Sequence, residues 1–216
     1  MSAGRPNRTS TRNRLYVEGA DDFHVVCALV RKSGISWEAS DERIPFAPFT
    51  NGDANAIKQA VVAAKNQTPR VGLVIDGDAA PKNRWHELRR RFTSIGLELP
   101  EIYTDNGVVI SFAGVCRLGI WMMPHGGQPG AVEALVASLV PESPLEQHAR
   151  VATEQARSVG AEFADKDLQK ARLRAWLSWQ KAPGAPYGRA IDAGFLHSSS
   201  PMTVALVAWF RRLFLD

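Results

Sequence analysis

The sequence predicts an α/β domain on a mostly parallel sheet flanked by helices, followed by a helical C-terminal portion. Three observations carry this reading. Residues 71–75 are nearly continuous aliphatic, as in a strand covered on both faces. Strand-like and helix-periodic runs alternate from Leu15 to about Pro141, the pattern of parallel strands joined by right-handed crossovers. After Pro141 the strand-like runs stop and only helical patterns remain.

Residues 15–18 form a short β-rich run closed by Gly19. Asp21 and Asp22 open a helix whose Phe23, Val26, Cys27 and Val30 recur at helical spacing, and Ser33-Gly34 ends it. Residues 44–49 read as a second strand, confined to an edge by Pro45 and Pro48. Thr50-Asn51-Gly52-Asp53 supplies a turn and cap for a helix over 56–65. The aliphatic strand ends at Asp76-Gly77-Asp78, and a helix over 82–94 follows. Residues 108–112 and 117–123 read as further strands. Pro129-Gly130 then starts a helix with Val132, Leu135, Val136 and Leu139 on one face. Helices are expected over 145–159, 166–181 and 203–215, with a Pro/Gly-rich connection over 183–188. The division is thus a basic leader over 1–13, read as disordered, an α/β domain over 14–141, and a helical portion over 142–216. That last part is either a separate unit or a cover on the sheet.

Composition narrows the class. With 216 residues and 45% hydrophobic content the chain can build a proper core. Its longest apolar stretches fall far short of the roughly 20 residues a membrane span needs. The leader has no apolar segment of the secretory kind, so a cytoplasmic protein is expected. Arg5, Arg8, Arg12 and Arg14 account for the whole net charge of +4, leaving the body balanced. A neutral body gives little support to a dedicated duplex-binding surface, and Arg84 with Arg89, Arg90 and Arg91 is a candidate local basic patch. Cys27 and Cys116 lie in apolar surroundings without metal-ligand spacing and read as buried thiols.

The chemistry-bearing residues are acids at the ends of strands. The carboxyl ends of parallel strands share one edge of the sheet, so Glu18 and Asp76 can meet although far apart in sequence. Asp76 and Asp78 point to the same side if the strand continues through Gly77, and glycine there lets a ligand approach the backbone. Such an oxygen-rich cluster suits Mg²⁺ or Mn²⁺. Two ions about 4 Å apart, bridged by carboxylates, stabilise both the attacking and leaving oxygens of a phosphodiester. Each acid also has a plainer role. Acid-Gly-acid is common turn punctuation, and Asp22 and Glu133 each sit in a first helical turn, where the dipole favours them. A phosphatase of the haloacid-dehalogenase type would also place an Asp-x-Asp after a strand. It normally uses the first strand and has Thr or Val where Ala79 stands.

Glu18-Gly19 after a first strand, with Asp76-x-Asp78 after a later one, resembles the Toprim domain. Val17-Glu18-Gly19-Ala20-Asp21-Asp22 is most similar to the OLD-nuclease version, in which a second acid follows the glutamate. Trp121-x-Met123-Pro124 with Pro129-Gly130-x-x-Glu133 resembles small bacterial Toprim/OLD-like proteins. So do Lys170-Ala171-x-Leu173, Trp176-Leu177, Pro183-Gly184, Ala190-Ile191 and the aromatic helix over 209–214. The resemblance spans most of residues 14–216. It implies a Rossmann-like Toprim fold, Mg²⁺ or Mn²⁺ as cofactor, and cleavage of DNA or RNA. By position, Glu18 is implied as metal ligand or general base, and Asp76 and Asp78 as metal ligands. Asp22 and Glu133 would complete a second metal site. It also implies a place in antiphage defence. The chain carries no fused ATPase of the full-length OLD kind, so nucleotide-driven control would need a separately encoded ABC-type ATPase. Neither a topoisomerase cleavage domain nor a primase zinc ribbon is evident.

Two alternatives stay open. One is a non-catalytic Toprim-like module that binds a partner or has a regulatory role, and the other, within enzymes, is a nuclease that processes structural RNA. His125 reads as an exposed loop residue, Lys170 and Lys181 as solvated helical lysines, and Trp176 and Trp179 as core.

Overall fold

Four strands and eight helices make up the described chain, residues 12–38, 40–48 and 50–216 of a computed structural model. The strands are β1 (Arg14–Val17), β2 (Arg70–Asp76), β3 (Val108–Phe112) and β4 (Cys116–Met123). They form one sheet in the order β1-β2-β4-β3. β1, β2 and β4 run parallel, and β3 pairs antiparallel with β4 as the far edge. The α/β reading with a mostly parallel sheet therefore holds.

The helices are α1 (Ala20–Lys32), α2 (Asp53–Lys65), α3 (Pro81–Thr93), α4 (Val132–Ala137), α5 (Pro144–Ser158), α6 (Leu168–Ser178), α7 (Tyr187–Asp192) and α8 (Pro201–Phe214). Strand side chains alternate between two cores, as the pleat requires. Leu15, Val17, Val74, Trp121 and Met123 face a core shared with α1, α4, α6, α7 and α8. Tyr16, Leu73, Ile75, Leu118, Ile120 and Met122 face the other, filled by α2 and α3.

The C-terminal helices share a core with the sheet, and α8 covers it directly. Trp209, Phe210, Leu213 and Phe214 of α8 are fully buried in the first core, and the Trp209 indole donates to the Val108 carbonyl at 3.1 Å. Gly72 of β2 and Gly119 of β4 are register partners. A Cβ on Gly72 would come within 2.9 Å of the Phe214 ring, and one on Gly119 would collide with Leu213. The paired glycines make a hollow in which α8 seats.

Three expectations change. The second strand over 44–49 reduces to a single bridge of Phe46 to Arg14, because Pro45 and Pro48 deny the regular donors a ladder needs; Phe49 lies outside the described residues. The helix expected over 166–181 begins as a 3-10 turn at Asp165–Asp167 and ends at Ser178. The connection after Pro183 gives way to α7, whose Gly188 lies against α1: a Cβ there would stand 2.7 Å from the His24 carbonyl. Residues 1–11, most of the expected leader, lie outside the described residues. Its last residue, Asn13, is buried and donates to the Glu42 and Arg43 carbonyls. Both cysteines are buried and free. Among the described residues no helix is long and apolar enough to cross a membrane.

Candidate active site at the carboxyl rim of the sheet

Glu18 follows the last residue of β1, and Asp76 is the last residue of β2. Parallel pairing of these strands, with Val17 opposite Val74, sets both acids on one rim. The Asp76 backbone N–H donates to Glu18 Oε2 at 3.3 Å, so the two acids are near neighbours across 58 residues of chain. The loop before α2 braces Glu18 from behind: the Thr50 hydroxyl donates to the Val17 carbonyl, and Gly52 N–H donates to the Glu18 carbonyl at 2.9 Å.

Two helix starts bring further acids. α1 begins directly after Gly19 and carries Asp22 in its first turn. Asp22 is only 5% exposed, and its Oδ1 is buried without a hydrogen-bond partner. Stabilisation by the helix dipole would require no such burial. α4 carries Glu133 in its first turn, and the Val132 N–H beside it donates to Asp76 Oδ1 at 3.1 Å. One hydrogen bond thus ties the end of β2 to the start of α4.

Burial, then mutual repulsion, governs the electrostatics. Burial lifts Asp22 to about 7, with Glu18 and Glu133 adding to the effect. Burial lifts Asp76 to about 9, helped by the charges of Asp22, Glu18, Glu133 and Asp78. Glu18 is raised too, mainly by burial, with the Asp76 N–H pulling the other way. A cluster of acids that raise one another lacks positive charge at its centre.

Asp78 departs from the expected geometry. The strand stops at Asp76, and Asp78 takes a left-handed φ of 50°, a region aspartate tolerates better than most residues. Its backbone exchanges hydrogen bonds with Gly130 at 2.9 and 2.8 Å. The carboxylate, 59% exposed, pairs with Arg84 at 2.7 Å. The extended backbone that would set Asp76 and Asp78 on one side therefore stops at Asp76, although the Asp78 charge still reaches Asp76 and Glu18. Gly77 between them is packed too tightly for a side chain: a Cβ would stand 2.9 Å from the Met123 carbonyl and 3.1 Å from that of Gln128. Gly77→Ala is expected to destabilise the protein by about 1–3 kcal/mol, the usual range for overpacking, read as a lower urea midpoint.

Other residues at the rim had weaker signals in the sequence. Arg84, read as part of a basic patch, instead turns to Asp53 and Asp78, both at 2.7 Å. Its position at the start of the helix after the acidic turn was the available clue. Lys170 of α6 lies 3.4 Å from Glu133. Tyr187 is fully buried near Glu133, under the Arg174 guanidinium at 4.5 Å, with nothing in the sequence to mark it. Trp176 is core, whereas Trp179 is 44% exposed, its ring against that of His148. His125 is half-buried, its ring 5.9 Å from that of Trp121.

A cleft of about 570 Å³ opens beside the acids, walled by Asp78, Gly130, Glu133, Lys166, Gln169 and Lys170. Among the described residues, no three His, Cys, Asp or Glu side chains are already arranged as a set that could hold a metal ion. The acids turn instead to backbone amides, Lys170 and Arg84. Their chemistry nevertheless fits a hard divalent cation, since every candidate donor is a carboxylate oxygen and one buried oxygen of Asp22 has no partner.

No curated protein and no solved structure matches the chain. A family described as "Protein of unknown function (DUF3226)" matches residues 12–215. That match takes in β1, α8 and every acid of the rim, so the α/β domain and its helical cover are one family unit, and the chain belongs to the DUF3226 family.

Proposed function

We propose that the protein is a divalent-metal-dependent nuclease that cleaves phosphodiester bonds of DNA or RNA at the carboxyl rim of its sheet. The observation that carries this reading is the meeting of Glu18, Asp22, Asp76 and Glu133 from four separate elements, with a buried Asp22 oxygen that has no partner. Charge repulsion of this kind is costly to a fold and is characteristic of sites that hold cations. The resemblance of Glu18-Gly19 and Asp76-x-Asp78 to the Toprim pattern of OLD-type nucleases supports the same conclusion, as does the 570 Å³ cleft beside the acids.

Glu18, Asp22, Asp76 and Glu133 would hold Mg²⁺ or Mn²⁺, with Asp78 at the outer edge. Such an ion would supply Lewis acidity toward a phosphoryl oxygen and lower the pKa of water. The chain's own groups do the rest. The Val132 N–H orients Asp76 and the Asp76 N–H orients Glu18. Lys170 faces the cleft next to Glu133, where it can neutralise phosphate charge. Arg84 holds Asp78 and Asp53 at the rim. A separate ATPase partner and a role in antiphage defence belong to the same reading through the OLD resemblance.

The test combines binding and turnover. Mn²⁺ at 100 times its Kd should stabilise the protein by about 2.7 kcal/mol, measured by thermal unfolding, and Asp22→Asn should remove most of that gain. Mn²⁺ should also support cutting of supercoiled DNA or structured RNA. No stabilisation by either cation, together with no cutting, would refute the reading.

A further inference from the structure

A second cleft lies on the other side of the Asp76-Gly77-Asp78 turn. It measures about 310 Å³ and is walled by Lys82, Trp85, His86, Glu101, Ile102 and Tyr103. One loop separates it from the acidic cleft. Gly126 and Gly127 face the second cleft, whereas Pro129 and Gly130 face the acidic one. Pro81 lines the second cleft and packs 3.3 Å from where a Gly77 Cβ would be. The two spaces therefore sit back to back across a single turn of chain, one acidic and one aromatic.

The second cleft has walls suited to a flat heteroaromatic ring. Trp85 and Tyr103 meet edge to face at 5.2 Å. Their polar atoms are already committed: the Trp85 indole donates to the Pro100 and Glu101 carbonyls, and the Tyr103 oxygen accepts from Met122 N–H at 2.8 Å. Trp85 is 3% exposed and backs the cleft, so the ring surface a ligand meets is that of the part-buried Tyr103. Ile102 stands at the mouth, 75% exposed. Lys82 and His86, on successive turns of α3, supply positive or hydrogen-bonding groups at the mouth, and Glu101 supplies an acceptor. The volume lies at the lower end of small-ligand sites, about 300–1,000 Å³.

We infer that this cleft receives one unstacked base of a nucleic-acid strand whose phosphate lies at the rim carboxylates, so that the substrate is unpaired strand. The inference rests on the nuclease reading for the position of the phosphate. A base within a duplex is stacked and paired, and must leave both arrangements to enter such a cleft. An unpaired strand avoids that cost and gains contact with apolar ring surface.

The experiment uses the full chain in calcium buffer, with a short labelled oligonucleotide offered single-stranded and as a blunt duplex. Single strand should bind about tenfold tighter, the effect of one stacked base. A 2-aminopurine placed in the strand should lose fluorescence on binding. Ile102→Glu, at an exposed loop position, should abolish both the preference and the quenching and leave duplex affinity unchanged. Equal affinity for the two forms, or a preference and quenching that survive Ile102→Glu, overturns the inference. Cleavage in manganese is scored separately. Cutting of both forms at equal affinity leaves the nuclease reading standing and removes the base site. Single-strand preference with quenching but no cutting of any nucleic acid upholds the base site and overturns the nuclease reading.

Discussion

On the proposed nuclease reading, Asp76→Asn should reduce metal-dependent cleavage by about a hundredfold or more, the scale for losing one preorganised electrostatic group, and at the same time make the protein more stable at pH 8. The asparagine oxygen can still accept from the Val132 N–H, so the link between β2 and α4 survives. What disappears is a carboxyl whose ionisation burial and four neighbouring acids oppose. The sign follows from the raised value. Asp76 titrates at about 9 in the fold, against 3.8 ordinarily. The folded state therefore binds its proton more tightly than the unfolded chain, and the group's contribution is fully present below about pH 3.8. It is lost progressively as pH rises toward 9. Wild-type protein without metal should lose stability over that interval, and the variant should show a flatter profile. The difference at pH 8 should be about 1–3 kcal/mol, in the range of an uncompensated buried polar group. Denaturant melts at pH 5 and pH 8, with and without Mn²⁺, measure both effects. A variant less stable than wild type at pH 8 in the absence of metal would contradict the electrostatic account.

Gly119→Val should be the most damaging substitution far from the rim. Its Cβ would drive into Leu213 of α8, and the facing Gly72 leaves no alternative space because Leu15 and Phe214 already fill that hollow. Overpacking by several atoms against a fully buried helix should cost about 3 kcal/mol or more. For a chain of this size that corresponds to roughly 6–12 °C in melting temperature. The companion change Leu213→Ala opens room at the same place and should recover part of the loss, as expected for residues in direct contact. Full additivity of the two changes would mean that α8 does not seat on the glycine pair.

The site was legible in the sequence to an unequal degree. Glu18 and Asp76 stood out because each closes an aliphatic run, and parallel strands place such ends on one rim by necessity. Asp22 and Glu133 could be located in first helical turns, but position alone left the helix dipole as a sufficient role for each. Their burial, and the missing partner of Asp22 Oδ1, are properties of packing that spacing does not encode. For Asp78 the two-residue spacing implies a shared side only while the backbone stays extended, and the strand ends at Asp76. Arg84 misled for a related reason: four arginines close in sequence suggested one patch, yet helix rotation turned this one toward Asp53 and Asp78.

By itself the amino-acid order determined the α/β alternation, the strand that is buried on both faces and the helical character of the C-terminal third. These follow from local periodicity and from where glycine and proline interrupt it. The three-dimensional packing alone decided that α8 closes one face of the sheet, that α7 exists, and that Asp22 and Asp76 are buried among other acids. Each depends on contacts between residues more than a hundred positions apart in the chain, or on the depth at which a group is buried, and no local pattern carries that information.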